Sequence, residues 1–154
     1  MKKVSLDTWI QLLGMVGLLG GLLFVGLEMR QSQTIARATQ QQDRAAILID
    51  VVNAFYEVDV DMQSTYFEKN YDYDFSTEEI ALRNLIHKLW VIYENDYYQY
   101  SQGLMQEDIW RAKLNGIRIL FNNCEERSIY TARAPIFSDS FQEIVSGIPD
   151  ECSE

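Results

Sequence analysis

The longest apolar segment of the chain lies close to its N-terminus. Residues 9–27 carry no charged side chain, and Gln11 is the only polar residue among them. Nineteen residues in helical conformation span roughly 28 Å, which is about the thickness of the hydrocarbon core of a bilayer. The sequence therefore predicts a transmembrane helix over residues 9–27, preceded by an N-terminal tail at residues 1–8.

Beyond this segment, apolar positions recur at alternating steps of three and four residues, as on one side of a helix. The positions are Ile35, Ala38, Gln42, Ala45, Ile49, Val52 and Tyr56. We expect the membrane helix to continue through residues 28–58 as an extension and first bundle helix. Because the stripe is short and contains Gln42, it is predicted to pack on the domain's own helices and not in a free coiled coil.

Residues 59–150 show helix start and stop signals but no sustained alternation typical of a strand. Ser76 and Glu79 form a capping-box pattern, and Gly103 suits the left-handed end of that helix. Further helices are predicted at residues 106–124, 125–133 and 138–148, with a C-terminal tail at 151–154. The predicted fold is all-α, with an N-terminal transmembrane helix that continues into a small helical bundle.

The helix that starts after Ser76 is expected to pack mainly through one apolar face. Its members are Leu82, Ile86, Leu89, Tyr93, Tyr97 and Tyr100. His87, the only histidine, lies at the margin of this face and is interpreted as a core-edge residue. The short connection at residues 103–105 allows only an antiparallel hairpin, so we also expect Trp110 to be buried where the chain turns back.

Charge restricts the classes of partner. The chain carries a formal net charge of −10, and acidic residues are concentrated between Glu57 and Glu79. Such a surface repels phosphate backbones, so no nucleic-acid partner is expected, and it also repels anionic lipid headgroups. The bilayer itself is the predicted contact of residues 9–27.

Positive residues flank the apolar segment on both sides, as they do in signal peptides and in membrane anchors. The segment exceeds the usual signal-peptide core and no small-residue cleavage site closes it, so a retained anchor is predicted. Lys2 and Lys3 precede it, whereas Arg30, Arg37 and Arg44 follow it. This narrow excess favours a single-pass protein of a bacterial inner membrane with its C-terminal domain in the cytoplasm. In that compartment Cys124 and Cys152 are expected to be reduced.

Three glycines lie on one side of the predicted membrane helix. Gly14, Gly17 and Gly21 fall within about 60° of one another around the helix axis. Gly17 and Gly21 form a GxxxG pair, which permits close approach of a second helix. The alternative is that glycine is simply common in membrane helices.

No catalytic constellation, metal site or cofactor motif stands out. The D-x-D-x-S run that starts at Asp72 lacks the glycine and glutamate of a calcium loop. The tyrosine-rich stretch after residue 92 is interpreted as core packing. The alternative is an aromatic pocket with a carboxylate handle, formed by Tyr93, Glu94, Tyr97 and Trp110. An enzyme would require His87 to converge in space with Glu94 or Asp96.

Two phrases resemble a widespread group of uncharacterised bacterial single-span membrane proteins. GLEMRQ at residues 26–31 resembles the group's VGLEIRQ-like phrase, and ENDYYQYSQGLMQEDIW at residues 94–110 resembles its WENxYYQYxxGLLDExxW-like phrase. Trp90 lies four residues before Glu94 here and not next to it, and SQTIAR after residue 31 departs from the usual asparagine-threonine form. The resemblance implies the same anchor-plus-helices layout and adds no reaction.

These observations favour a membrane-anchored helical module that binds a protein partner or associates with itself. The first alternative is a membrane-tethered regulatory domain that binds a small ligand in the tyrosine-lined pocket. The second alternative is an enzyme, which the absence of a recognisable catalytic motif disfavours. No cofactor is expected.

Overall fold

A computed structural model describes residues 5–152, and every regular element in this range is helical. The prediction of an all-α fold is therefore confirmed. The α-helices are α1 (Leu6–Glu57), α2 (Thr77–Ser101), α3 (Glu107–Phe121), α4 (Arg127–Arg133) and α5 (Asp139–Ser146). A π-helical turn (Gln63–Glu68) precedes α2, and 3₁₀ turns (Cys124–Glu126 and Ala134–Ile136) flank α4.

The chain divides into two compact units, the first ending at Arg37 and the second starting at Ala38. In the first unit, the apolar side chains of α1 are exposed along the whole of residues 9–27. By length and composition this part of α1 is able to cross a membrane. The helix begins at Leu6, within the predicted N-terminal tail, and residues 1–4 of that tail lie outside the described residues.

In the second unit, the C-terminal part of α1 packs on the other helices of the domain. Ala38 and Val52 are buried, and the side-chain amide of Gln99 on α2 donates a hydrogen bond to the carbonyl oxygen of Ala38 at 3.0 Å. The predicted burial of the stripe is confirmed at Ala38 and Val52. Ala45 and Ile49 are half-buried, and the other three members are exposed: Ile35, Gln42 and Tyr56. The inward side of α1 is thus narrower than the pattern predicted.

The local signals at the ends of α2 act as predicted. Ser76 accepts a hydrogen bond from the backbone N–H of Glu79, and the Glu79 carboxylate accepts one from the backbone N–H of Ser76. Gly103 has a φ of 72°, in the left-handed region that glycine adopts without steric cost. The chain therefore reverses there and places α3 against α2.

The core lies between α2, α3, α4 and α5, and Trp90 is at its centre. The Trp90 side chain is 1% exposed, and three rings from later in the chain surround it: Tyr130 of α4, Phe137 just before α5 and Phe141 of α5. Sequence periodicity did not place Trp90 on the buried face of α2. It did place Leu82 on that face, but Leu82 is 49% exposed. The prediction for Leu82 was wrong because α4 and the segment before α5 cover a different side of the helix.

The two cysteines form a disulfide bond between Cys124, just after α3, and Cys152 near the C-terminus. The expectation of reduced cysteines was therefore wrong. The two cysteines are 28 residues apart in sequence, and this spacing did not indicate pairing. They meet because α4 and α5 fold back and bring the two Cα atoms to 5.4 Å. The bond attaches the C-terminal segment to the end of α3.

Candidate functional site

A polar groove of about 410 Å³ lies beside the C-terminal half of α2. It is lined by Gln41, Glu94, Tyr97, Tyr98, Ser101, Gln102, Ser138 and Ser140. The helix α2 supplies half of this lining, because its side chains at three- and four-residue steps project from one side. Two of the four residues of the predicted pocket, Glu94 and Tyr97, are thus brought together in one concave surface.

Glu94 is the charged residue of the groove, and it also holds the start of α5. Its Oε1 accepts a hydrogen bond from the backbone N–H of Ser138 at 2.9 Å, the residue that caps α5. Burial raises the pKa of the Glu94 carboxyl, while this hydrogen bond and the positive charge of Arg133 act in the opposite direction. The arrangement suits a partially desolvated carboxylate that can accept hydrogen bonds from a polar ligand.

The other two residues of the predicted pocket belong to the core. The ring of Tyr93 lies directly against Gly116 of α3, where there is no room for a β-carbon. Trp110 is 5% exposed and stacks on Tyr100, with ring centroids 4.9 Å apart. The expected burial of Trp110 is confirmed. Tyr93 and Trp110 position α3 against α2 and do not line the groove.

A buried ionic cluster connects three parts of the domain that are distant in sequence. Nε of Arg83 donates to Asp61 at 3.0 Å, and Nη1 of Arg83 donates to Glu126 at 2.8 Å. Asp61 is wholly buried and accepts a further hydrogen bond from the backbone N–H of Ser64 at 2.7 Å. Beside it, the Asn84 side chain bonds the backbone of Val60 and Met62. These contacts attach the segment between α1 and α2 to α2, and they attach α2 to the 3₁₀ turn that precedes α4.

His87 is completely buried, deeper than the core-edge position that was predicted. Arg133 donates a hydrogen bond to its Nδ1 at 3.3 Å, and the Phe67 ring stacks on the imidazole with centroids 5.3 Å apart. Burial, followed by the nearby positive charge of Arg133, lowers the His87 pKa to about 3. The imidazole is therefore neutral in the folded domain.

In the described part of the chain, neither of the carboxylates named above for an enzyme is hydrogen-bonded to His87. His87 accepts a hydrogen bond from Arg133, while Asp96 pairs with Lys113 at 3.1 Å and Glu94 lies in the groove. Arg133 is itself 1% exposed, and burial lowers its pKa to about 10. His87 and Arg133 thus form a structural pair that the sequence did not indicate, because the two residues are 46 positions apart.

The neutral His87 predicts a loss of stability on acidification. Between pH 6.5 and about 3, the unfolded chain binds a proton at His87 that the folded domain does not bind. The free energy of unfolding should therefore fall as pH decreases through this range, by up to about 1.4 kcal/mol per pH unit. Urea unfolding of the full chain in detergent micelles at pH 7 and pH 5, followed by far-UV circular dichroism, measures this change.

The control for this prediction is His87→Gln, which retains an acceptor for Arg133 but does not titrate. Burial raises the pKa values of Glu94 and Glu126, and this contributes stability of the opposite sign as pH falls. Both carboxylates are present in the two proteins, so the difference between their pH profiles isolates His87. Equal pH dependence in the wild type and in His87→Gln would contradict the assignment.

A second candidate surface lies on α1, on the side opposite the core. It consists of Ile47, Val51 and Ala54 together with Val58, which directly follows the end of α1, at steps of four, three and four residues. We call these four residues the outer stripe. Ile47 is 64% exposed and Val58 67% exposed. The last turn of the stripe, with Phe55 and Val60, borders a shallow apolar depression of about 290 Å³.

Acidic residues follow one edge of the outer stripe. Asp43, Asp50 and Glu57 are spaced at seven-residue steps and are all exposed, so they form a row along the helix next to the apolar side chains. The surface therefore combines an apolar strip with a negatively charged border. Such a combination is typical of a helix that binds another amphipathic helix.

The glycine side of α1 is open in the structure. A β-carbon placed at Gly14, Gly17 or Gly21 would meet no other atom within 4 Å. This space would allow another helix to approach closely. Helix packing through these three glycines stays a prediction.

Comparisons with known proteins neither extend nor narrow these assignments. No protein-family model matches the chain, and neither a curated protein nor a solved structure does. The function is therefore inferred from the residues and geometry described above.

Proposed function

We propose that this chain is a single-pass membrane protein whose helical domain binds a protein partner through the outer stripe. The observation that carries this proposal is an apolar face on α1 that the domain's own core leaves uncovered. Val51 is 45% exposed and lies between Ile47 and Val58, so the exposed apolar residues are contiguous. Contiguous exposed apolar surface on a folded domain marks an interaction site more often than scattered single residues do.

The charge of this surface indicates the chemistry of the partner. Asp43, Asp50 and Glu57 border the stripe, and the chain as a whole carries a net charge of −10. A partner helix with an apolar face and basic flanking residues complements both features. A second copy of this chain would present the same acidic border and the same net charge. Electrostatics therefore favour a basic partner over self-association at this surface.

The apolar segment at residues 9–27 supplies the membrane anchor in this proposal. Its length matches the bilayer core, and its side chains are exposed in the structure. Tethering the domain to the membrane confines it with other proteins of the same membrane, which raises the effective concentration of such a partner. The anchor thus favours a partner that is also membrane-bound.

Site-specific photo-crosslinking tests the proposed surface in living cells. With a photoreactive amino acid at Val51, the full-length chain is expected to give one dominant crosslink to a protein with a basic amphipathic helix. Ile47→Glu in the same chain should reduce that crosslink at least tenfold, because the added carboxylate must be desolvated against an apolar face.

The matched control places the photoreactive residue at Ile119, which is 76% exposed on α3 and lies outside the outer stripe. This position should give only background crosslinking. Equal crosslinking at positions 51 and 119, or no crosslink at 51, would reject the surface. A crosslink between two copies of the chain would show that the outer stripe serves self-association, and the proposal of a basic partner would then be rejected.

A second candidate function is the binding of a small polar ligand in the groove, supported by the desolvated carboxylate of Glu94. The surrounding tyrosine, serine and glutamine side chains suit a ligand with hydroxyl or amine groups. Screening such compounds by NMR, with the side chains of Tyr97 and Tyr98 as reporters, should show shifts at millimolar concentration. Shifts of the Tyr98 side chain that persist in Glu94→Gln and Tyr97→Ala variants would exclude the groove.

A further inference from the structure

The disulfide bond bears on which side of the membrane the domain occupies. Cys124 and Cys152 are the only cysteines of the chain, and the structure joins them. Stable disulfide bonds form in oxidising compartments and are rare in the cytoplasm, where thiols are kept reduced. The bond between the two cysteines therefore indicates an oxidising compartment, which a single cysteine would not.

The surroundings of the bond show that the cysteines are held together by a folded structure. Nη1 and Nη2 of Arg127 donate to the carboxylate of Asp150 at 3.1 and 3.0 Å, and Nη2 also approaches Sγ of Cys152 at 3.2 Å. The guanidinium lies over the Phe121 ring, 3.6 Å from its centroid. The amide of Asn122 donates to the Pro149 carbonyl at 3.2 Å. This polar clasp brings the C-terminal segment to the end of α3.

The hydrogen bonds from Arg127 to Asp150 and from Asn122 to Pro149 are exposed to water, so they contribute little net stability. The covalent bond therefore provides the durable attachment of residues 149–152 to the domain. Cys124 is an exposed residue and Cys152 is half-buried, so the bond lies at the surface of the domain, where thiols of a reducing compartment approach it. A bond in this position persists where such thiols are scarce.

We infer that the domain lies on the oxidising side of the membrane, with Lys2 and Lys3 on the cytoplasmic side. This reverses the orientation expected from three arginines against two lysines, which is a narrow difference in positive charge. The inference rests on the membrane anchor of the proposed function, and it places the partner of the outer stripe on the oxidising side too.

Formation of the bond requires a protein disulfide of that compartment as the oxidant. One cysteine thiolate attacks the oxidant's disulfide, giving a mixed disulfide and releasing one thiolate of the oxidant. The second cysteine thiolate then displaces the oxidant's remaining sulfur. The two thiol protons and two electrons pass to the oxidant, whose disulfide becomes a dithiol.

Thiol trapping of the full-length chain in a Gram-negative host tests the redox state. Cells are quenched with acid, free thiols are blocked with N-ethylmaleimide, and the protein is then reduced and treated with polyethylene-glycol maleimide. We expect two added polymer chains per protein, since both cysteines escape the first reagent. No added chain would mean that both thiols are reduced in the cell, and would overturn the inference.

Cysteine labelling locates the domain independently of the bond. In a Cys124→Ser, Cys152→Ser background, Ser146→Cys should react with a membrane-impermeant maleimide in cells whose outer membrane is permeable. Ser5→Cys, on the other side of the span, should react only after lysis. The reverse pattern would overturn the inference even if the serine variants fold poorly, because topology is set during insertion.

Carbonate extraction separates failure of this inference from failure of the proposed function. A chain that stays in the membrane after alkaline carbonate treatment but shows reduced thiols or reversed labelling is anchored in the opposite orientation. A chain that is released by carbonate has no anchor, and the proposed function then fails together with the orientation.

Discussion

Replacing Asp61 with alanine is expected to lower the free energy of unfolding by about 3–5 kcal/mol. Asp61 is wholly buried and accepts hydrogen bonds from Arg83 and from the backbone N–H of Ser64. Without it, Arg83 remains buried with only Glu126 as a charged partner, and the Ser64 donor is left without an acceptor. Urea unfolding of the full chain in micelles, followed by far-UV circular dichroism, measures the change.

The matched control is Asp50→Ala, which removes an exposed carboxylate of α1 and should change stability by less than about 0.5 kcal/mol. Asp61→Asn retains an acceptor for Ser64 but loses the charge, so an intermediate loss is expected. Similar stabilities for Asp61→Ala and Asp50→Ala would show that the Asp61–Arg83–Glu126 cluster is not a structural element of the folded domain.

Trp110→Ala is expected to lower the free energy of unfolding by about 3–5 kcal/mol. The indole is buried against Tyr100 and Tyr97, with ring centroids 4.9 and 5.6 Å away, so truncation leaves a cavity in the α2–α3 contact. Trp110→Phe keeps a stacked ring and should restore much of this stability. The same unfolding experiment compares the three proteins.

Ile119→Ala on the same helix is the control for the tryptophan series. Ile119 is 76% exposed, so its truncation should change stability by less than about 0.5 kcal/mol. A loss for Trp110→Ala no larger than that for Ile119→Ala would contradict the role of Trp110 in holding α3 to α2. Since Trp110 lies outside the groove, this result would leave the ligand-binding candidate unaffected.

The ends of the helices were predictable because the signals that set them are local. Ser76 and Glu79, three positions apart, cap the N-terminal end of α2. Gly103, just after the C-terminal end of α2, reverses the chain by adopting a left-handed backbone conformation. Pro135 likewise accompanies the end of α4. Such signals act within one or two helical turns, so the chain carries them without reference to its neighbours.

The buried polar residues of α2 were not predictable in this way. Arg83 and Asn84 are polar, and periodicity assigns polar residues to the solvent side of a helix, while it places His87 only at the margin of the apolar face. The structure buries them because the segment before α2 supplies Asp61 and Val60 as partners, while α4 supplies Arg133. Complementary partners offset the cost of desolvation, and sequence spacing does not reveal them.

The predicted pocket was divided for a related reason. Around the helix axis Tyr97 lies between Tyr93 and Glu94, about 40° from the first and about 60° from the second. In the structure Tyr97 lines the groove with Glu94, whereas Tyr93 packs on Gly116. Which of the aromatic residues line a concave surface depended on where α3 and the segment before α5 approach α2.

The sequence by itself determined the apolar segment, the all-helical fold and the helix ends, because periodicity, capping and chain reversal depend on neighbouring residues. Only the tertiary structure decided the ionic cluster at Arg83, the neutral state of His87, the outer stripe and the Cys124–Cys152 bond. Each of these depends on residues from separate parts of the chain, or on which side of a helix stays uncovered. Such relations arise when the chain packs, since burial and pairing energies act between residues that are distant in sequence.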